Sequence, residues 1–330
     1  MSKKKTAIVT GGAGFIGSHM VDLLLEYDYE VRAIDNFAGG HLKNINHLKN
    51  VSNFFLIEKD IREISEEDLS FKDVDVIFHF AGLGDIVPSI DFPYKYFDVN
   101  VQGTVNLLNC SKKNKINNFI YAASSSCYGL ADYPTKETNT INPQYPYAMS
   151  KYMGELAVMH WKKVYRMNNK SIRIFNAYGR RVRTTGVYGA VFGVFLKQKL
   201  EGKNLTVVGD GNQKRDFLHV KDVARAFFKV FEENTNDCIF NVGAGNPRSI
   251  LELIKLLESE YEFIPKRPGE PDVTWADISK INEQTGWIPT ISFEDGVKEM
   301  VDNIKEWQDA PLWDKSNIEK ATKTWFDYLK

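Results

Sequence analysis

The chain has 330 residues, 42 of them Lys or Arg and 43 Asp or Glu, for a net charge of −1. So even a balance gives no electrostatic case for nucleic acid or an anionic membrane surface, and Lys3-Lys4-Lys5 reads as a solvated basic tail. At 43% hydrophobic and 26% charged the composition is globular, with length for one large domain or two lobes. No apolar run is long enough to span a bilayer.

The first predicted strand, residues 7–10, is short and β-branched, as a buried strand should be. Gly11, Gly14 and Gly17 follow it at a three-residue spacing, and residues 18–27 carry Met20, Val21, Leu24 and Leu25 on one helical side. The strand begins too early for a secretory leader. Strand, glycine turn and helix together form a pyrophosphate site. The glycines let the backbone turn and approach the phosphates, and the helix start offers free N–H groups and a positive dipole end. A second strand, 31–35, ends in Asp35, eighteen residues past Gly17, near the distance expected of an acid holding an adenosine ribose. A loop over 36–41 follows, then strands at 53–57, 75–80 and 119–123, with a long helix over 94–113. Another long helix covers 147–165, and a sixth strand 171–175. This alternation predicts an α/β, doubly wound parallel Rossmann sheet with ligands at the strand C-termini.

Beyond Asn176 the pattern loosens into a helix at 190–200, a strand at 205–208, a helix at 220–231 and a strand at 239–242. The last two are apolar enough to rejoin the sheet. The expected division is a dinucleotide-binding domain over 1–176, with 220–242 returning to it, and a smaller, mainly helical substrate lobe over 177–219 and 243–330. Trp275, Trp287, Trp307, Trp313 and Trp325 fall in that lobe and read as packing residues. The cysteines, Cys110, Cys127 and Cys238, form no CxxC pair, and the six histidines show no ligand spacing. A cytoplasmic protein with reduced thiols and no metal is the expectation.

Tyr147 and Lys151 are four residues apart, on one face of their helix. A tyrosine is a poor base at its ordinary pKa of about 10. A nearby ammonium, or a positive nicotinamide ring, favours the phenolate. Ser124-Ser125-Ser126 follows the fifth strand and brings hydroxyls to the ligand side of the sheet.

With the glycine turn, Asp35, the serine loop and the Tyr-x-x-x-Lys pair together, the sequence resembles the extended short-chain dehydrogenases/reductases, and among them the nucleotide-sugar 4-epimerases, over nearly its whole length. The resemblance implies bound NAD, held by Gly11, Gly14, Phe15, Ile16 and Gly17, by Asp35, Asn36 and Phe37, and by Asp60 and Ile61 at the adenine. Phe80, Ala81 and Gly82 match a nicotinamide-side turn, Asn100 a cofactor-side asparagine, and Phe175-Asn176 a strand end meeting cofactor and sugar. Tyr147 would take the proton of the sugar 4-OH with help from Ser124, while Lys151 holds the nicotinamide ribose. The 4-keto sugar turns over about its pyrophosphate link and is reduced on the other face. Ser125 and Asn176 would touch the sugar, Arg215 and Arg267 the pyrophosphate, and Glu270 the ribose. Thr274 falls where the family's sugar pocket is gated; being small, it implies room for an N-acetyl group. A UDP-sugar substrate and a homodimer built on the 94–113 and 147–165 helices complete the expectation.

Three positions depart from the pattern. Gly84-Asp85 replaces a more usual Lys or Ser, Ser126-Cys127 stands where sugar dehydratases and some decarboxylases carry an acid, and Phe217 replaces a common tyrosine. The segment 310–330, with Trp313 and Trp325, receives no role. A 4-ketoreductase, 4-oxidase or 4,6-dehydratase of the same fold is the alternative, and a non-catalytic dinucleotide sensor another.

Overall fold

The structure, a computed structural model, describes residues 4–182, 191–235 and 237–329. The first half runs β1 (Thr6–Thr10), α1 (Phe15–Glu26), β2 (Glu30–Asp35), β3 (Phe54–Glu58), β4 (Val76–His79), α2 (Ile86–Asp91), α3 (Pro93–Phe97), α4 (Gly103–Lys113), β5 (Asn118–Ser124), α5 (Pro146–Tyr165) and β6 (Asn168–Ile174). The second half runs β7 (Ala177–Tyr178), α6 (Val191–Leu200), β8 (Leu205–Val208), β9 (Lys214–Arg215), β10 (Leu218–His219), α7 (Val220–Glu232) and β11 (Ile239–Val242). It ends with β12 (Arg248–Ser249), α8 (Ile250–Leu257), β13 (Tyr261–Ile264), α9 (Ser279–Thr285), α10 (Phe293–Asp302) and α11 (Lys315–Tyr328).

Seven strands form one sheet in the order β11-β6-β5-β4-β1-β2-β3, every neighbouring pair parallel. The chain winds outward from β1 in one direction, crosses back, and winds outward from β4 in the other. The reversal between β1 and β4 opens a crevice above their C-terminal ends, where ligands bind in such sheets. Burial on both faces explains the strand sequences. Ala7 and Val9 face a core shared with Met20, Leu24, Phe227 and Val230, while Ile8 faces one shared with Leu107, Phe119 and Val158.

β11 joins the sheet and α7 packs on α1, so 220–242 lies with the sheet. So does part of the segment expected in the substrate lobe, since Ile281 and Trp287 are buried in the sheet core. A separate core belongs to the second lobe. Phe192, Leu196, Leu205, Val207, Leu253, Val297, Met300 and Trp307 fill it, and Phe217 stacks on Phe293 at 5.3 Å with the ring planes 8° apart. A phenylalanine at 217 thus has a ring to pack against rather than a hydroxyl to satisfy. The small pairings β8–β13, β9–β12 and β7–β10 stiffen a lobe that is otherwise mostly helix.

Within the sheet domain two helical elements differ from the sequence expectation. The single helix over 94–113 is interrupted by a π-turn at Asp98–Gln102. There the Thr104 hydroxyl donates to the Asn100 carbonyl at 2.6 Å, and the widened turn aims the Asn100 side chain inward, a use π-turns often serve. The short α2 was not foreseen because six residues containing Pro88 show no helical stripe. Among the described residues no helix is long and apolar enough to cross a membrane, and no group of His, Cys, Asp and Glu could hold a metal ion.

α5 lies close on β5 because Gly154 has no side chain. A Cβ there would collide with the Tyr121 hydroxyl and stand 3.1 Å from the Asn100 carbonyl oxygen. Gly154→Ala is therefore expected to destabilise the protein by about 1–3 kcal/mol despite alanine's better helix propensity. Denaturant unfolding checks this; unchanged stability would mean that α5 can lift off the sheet freely.

Candidate functional site

A cavity of about 740 Å³ opens over the β1/β4 crevice and extends into the second lobe. Each glycine at its floor is required for a different reason. Gly11 turns at a φ of +68°, and a Cβ on it would come within 2.8 Å of the Ala81 nitrogen. A Cβ on Gly17 would run into the Gly11 carbonyl. Gly14 caps α1 with no side chain, so no side-chain bond covers the helix start. First-turn amides have no partner within a helix, and Gly14, Phe15, Ile16 and Gly17 line the cavity. The arrangement is an anion site made of backbone.

At the end of β2 the Asp35 carboxylate is 7% exposed. It accepts hydrogen bonds from the Ala13 amide (2.9 Å) and the Phe37 amide (2.8 Å). Burial raises its pKa and those two amides pull it back. A carboxylate fixed here accepts well from a ribose diol and repels a phosphate. Arg32, the nearest cation on that strand in sequence, is spent elsewhere: it bonds Glu30 and the carbonyls of Ser70 and Lys72. On the rim, Asn36 donates to Asp60 at 2.8 Å, and Arg62 holds Asp60 down at about 2, chiefly through side-chain hydrogen bonds. Asn36, Asp60 and Ile61 line the cavity. Phe37 does not line it: with φ at +57° its ring turns into the sheet core, and only its amide serves the site, through Asp35.

Above β4 and β5 the reactive side chains gather. Ser124 ends β5, with its hydroxyl 2.8 Å from that of Ser126. Tyr147 and Lys151 enter from the first turns of α5, which starts at Pro146. Burial raises the Tyr147 pKa, hydrogen bonds from Ser124 and Ser126 lower it, and the nearby Asp85 charge raises it again. Burial also lowers Lys151, to about 7, although Glu155 opposes this. Its ammonium lies 4.4 Å from the centre of the Tyr121 ring. Phe80, Ala81 and Gly82 face this group across the crevice. Asn100 is buried behind them and does not line the cavity. Its amide accepts from the Leu83 N–H (2.8 Å) and donates to the Leu83 carbonyl (3.0 Å) and Ser150 Oγ (2.9 Å). It therefore fixes the 82–83 loop from behind.

The far end of the cavity belongs to the second lobe. Arg215 donates to Glu270 at 2.7 Å and to the Pro271 carbonyl at 2.9 Å, and Arg267 approaches the other Glu270 oxygen at 3.6 Å. Burial pulls Arg267 down to about 10, against the pull of Glu270. Two guanidiniums flanking one carboxylate suit a diphosphate, whose oxygens take forked, charge-assisted hydrogen bonds. Next to Arg215, the fully buried Asp216 accepts from the amides of Ala244 and Ala276 and so anchors that strand. Its carboxyl is raised to about 6 by burial. Thr274 donates to Asn176 Oδ1 at 2.7 Å; both line the cavity with Ser125 and Phe175.

Two contributors received no role from the sequence, although Asp85 stood out there as a departure from the family pattern. Asp85, which precedes α2, lines the cavity near Tyr147. Trp313, Ile318 and Trp325, from the segment left without a role, line it too. The available signal was the spacing of Ile318, Thr322 and Trp325, one buried helical stripe behind an Asp314/Asn317 capping box.

The GDP-mannose 4,6 dehydratase family matches residues 8–300. A protein of Methanocaldococcus jannaschii, provisionally named UDP-glucose 4-epimerase, is 37% identical over 306 residues, covering 90% of this chain and 98% of that one. Two solved structures superpose with TM-scores of 0.85. One is a UDP-N-acetylglucosamine 4-epimerase from Methanobrevibacter ruminantium, in complex with UDP-N-acetylmuramic acid (32% identity; 92% of this chain, 98% of that one). The other is a UDP-glucuronic acid 4-epimerase from Bacillus cereus, in complex with UDP-glucuronic acid and NAD (34% identity; 91% and 99%).

Arg215→Ala and Arg267→Ala should each weaken binding of a nucleoside diphosphate by about ten- to a hundredfold, the worth of a hydrogen bond to charge. Titration calorimetry on variants with parental melting temperatures reads this. Unchanged affinity in both would remove the diphosphate assignment.

Proposed function

Because this chain belongs to the GDP-mannose 4,6-dehydratase family of extended short-chain dehydrogenases/reductases, we propose that it is an NAD-dependent nucleotide-sugar 4-epimerase acting on a UDP-hexose or UDP-N-acetylhexosamine. The observation that carries the proposal is the span of one cavity. Ser124, Tyr147 and Lys151 of the sheet domain and Arg215, Arg267 and Glu270 of the second lobe line the same cavity, the two sets of groups that a sugar joined to a diphosphate needs. Domain roles follow from it, the sheet domain holding the dinucleotide and the second lobe the nucleotide sugar.

NAD fits the residues present: a backbone anion site, a fixed Asp35, and Lys151 beside the Gly82 turn. Bound there, its nicotinamide supplies a hydride acceptor and later donor. Tyr147 then takes the proton from the 4-OH, with Ser124 donating a hydrogen bond to hold the oxygen. Lys151 binds the ribose and favours the phenolate. Arg215 and Arg267 keep the diphosphate in place while the 4-keto sugar turns over, and Tyr147 returns the proton on the other face. The small Thr274, engaged with Asn176, leaves room beside the hexose and supports acceptance of 2-acetamido sugars. The exposed Met149, Met153 and Leu156 along α5 support pairing of two copies through that helix.

Against dehydration, Cys127 is buried away from the cavity with its thiol pushed up to about 12. A carboxylate does reach the site, however. Asp85 stands near Tyr147, and a carboxyl group is the kind of acid/base that loss of a 6-hydroxyl needs, which makes a 4,6-dehydratase the second reading. Incubating the protein with UDP-glucose and UDP-N-acetylglucosamine and following the products by NMR separates the two. Inversion at C4 supports the epimerase; a new C6 methyl signal supports the dehydratase.

Tyr147→Phe should lower turnover by about 10²–10⁴-fold, the usual worth of a general acid–base group, with nucleotide-sugar affinity retained. Near-parental rates would mean another group is the base. Denaturing the purified protein should release NAD, since Asp35 repels a 2′-phosphate and Arg32 is already engaged. Recovery of mainly NADP would overturn that choice.

A further inference from the structure

α11 lies outside the stretch matched by the family, which ends at residue 300. It is nevertheless built into the cavity. Just ahead of the helix the Trp313 carbonyl accepts from Gln198 of α6 at 2.7 Å, and α11 itself packs against α2 of the sheet domain. The helix thus joins the two lobes across the cavity. Trp325 is only 2% exposed, yet it belongs to neither lobe's core. Its indole N–H donates to the Pro268 carbonyl at 2.7 Å, and the Arg267 guanidinium lies 5.8 Å from its ring centre. The ring is also 6.3 Å from Tyr145, which in turn stacks with Tyr147 at 6.3 Å and 9° between planes. Trp325, Tyr145, Tyr147 and Arg267 all line the cavity.

We infer that α11 supplies the sugar-binding wall of this cavity, with Trp325 and Tyr145 as an aromatic surface that receives the pyranose ring between the diphosphate clamp and Tyr147. The inference rests on the epimerase reading. A sugar held by its diphosphate at Arg267 and reacting at Tyr147 would meet the two rings that connect those side chains by successive contacts. The C–H face of a pyranose is apolar and complements an aromatic face, whose attraction is largely dispersive and weakly directional. Such a wall suits a ring that must present both faces in turn. Hydrogen bonds to fixed hydroxyls would have to break at each reversal, whereas contact with an indole only slides.

The test compares UDP, which has the diphosphate and no sugar, with UDP-glucose and UDP-N-acetylglucosamine. Calorimetry is run on the NAD-loaded parent and on Trp325→Ala and Trp325→Phe. Trp325→Ala is expected to weaken binding of at least one UDP-sugar by about three- to tenfold, to leave UDP affinity unchanged, and to be largely rescued in Trp325→Phe. Equal weakening of UDP and UDP-sugars overturns the inference, because the indole would then act only through Arg267. Unchanged affinities, or a parent that binds UDP-sugars no better than UDP, overturn it too. Should Trp325→Ala fail to fold, Trp325→Phe still decides: the parent-minus-variant fluorescence must respond to the UDP-sugar and not to UDP, and an equal response to both overturns the inference. Turnover is not used, so a protein that binds UDP-sugars through Trp325 without inverting C4 would sink the epimerase reading and leave the wall standing.

Discussion

The first turn of α1 rests directly on the Gly11 carbonyl, and the rest of the site depends on that approach. Gly14 donates to that carbonyl at 2.9 Å, and Gly17 passes it with no space for a side chain. If α1 moved outward by the width of a methyl group, its free amides would no longer face the crevice beside β4. The same turn also binds the two halves of the sheet. The Gly11 amide donates to Ile34 of β2 at 2.8 Å, and a Cβ on Gly11 would run into the Phe80–Ala81 backbone after β4. One turn therefore sets the distance between Asp35 at the end of β2 and the Phe80–Gly82 loop after β4.

The segment that carries Arg215 is held by buried polar contacts. Asp216, next to Arg215, gathers amides from 244 and 245 on one loop and from 276 on another. A carboxylate buried this deeply is stabilised only by such donors. Losing one of them would leave a charge uncompensated close to the diphosphate clamp. Phe15 adds an apolar link, since it begins α1 and also packs on the second lobe's core.

What could be read in the sequence was what backbone geometry and local spacing impose. The glycine turn, Asp35 at its strand end and the four-residue Tyr147–Lys151 step are local, and they meet in the cavity. The strand alternation likewise yields the parallel sheet. What could not be read depends on contacts far apart in the chain. Asn100 sits in the expected helix, but the π-turn and Leu83 decide where its amide points. Phe37 lies next to Asp35 in sequence, yet a positive φ sends its ring the other way. Trp287 lies among residues of the second lobe but packs under the sheet, because α9 doubles back on β11. Trp325 is separated from Arg267 by three helical segments, and nothing local links them.

Burial acts oppositely on the two central reactive groups. It raises Tyr147, so the proton is held, and lowers Lys151 to about 7, so the ammonium is only partly retained near neutral pH. By themselves they favour the uncharged pair. The phenolate becomes accessible only when something else in the cavity favours negative charge on the tyrosine. Ser124 and Ser126 supply part of this as hydrogen-bond donors, and Asp85 works against it. The remaining share must come from positive charge brought in with a ligand. A tyrosine poised in this way is a weak base in a cavity without that charge and a competent one beside it. Under the epimerase proposal, deprotonation of a bound hydroxyl would thereby be tied to the presence of that positive charge.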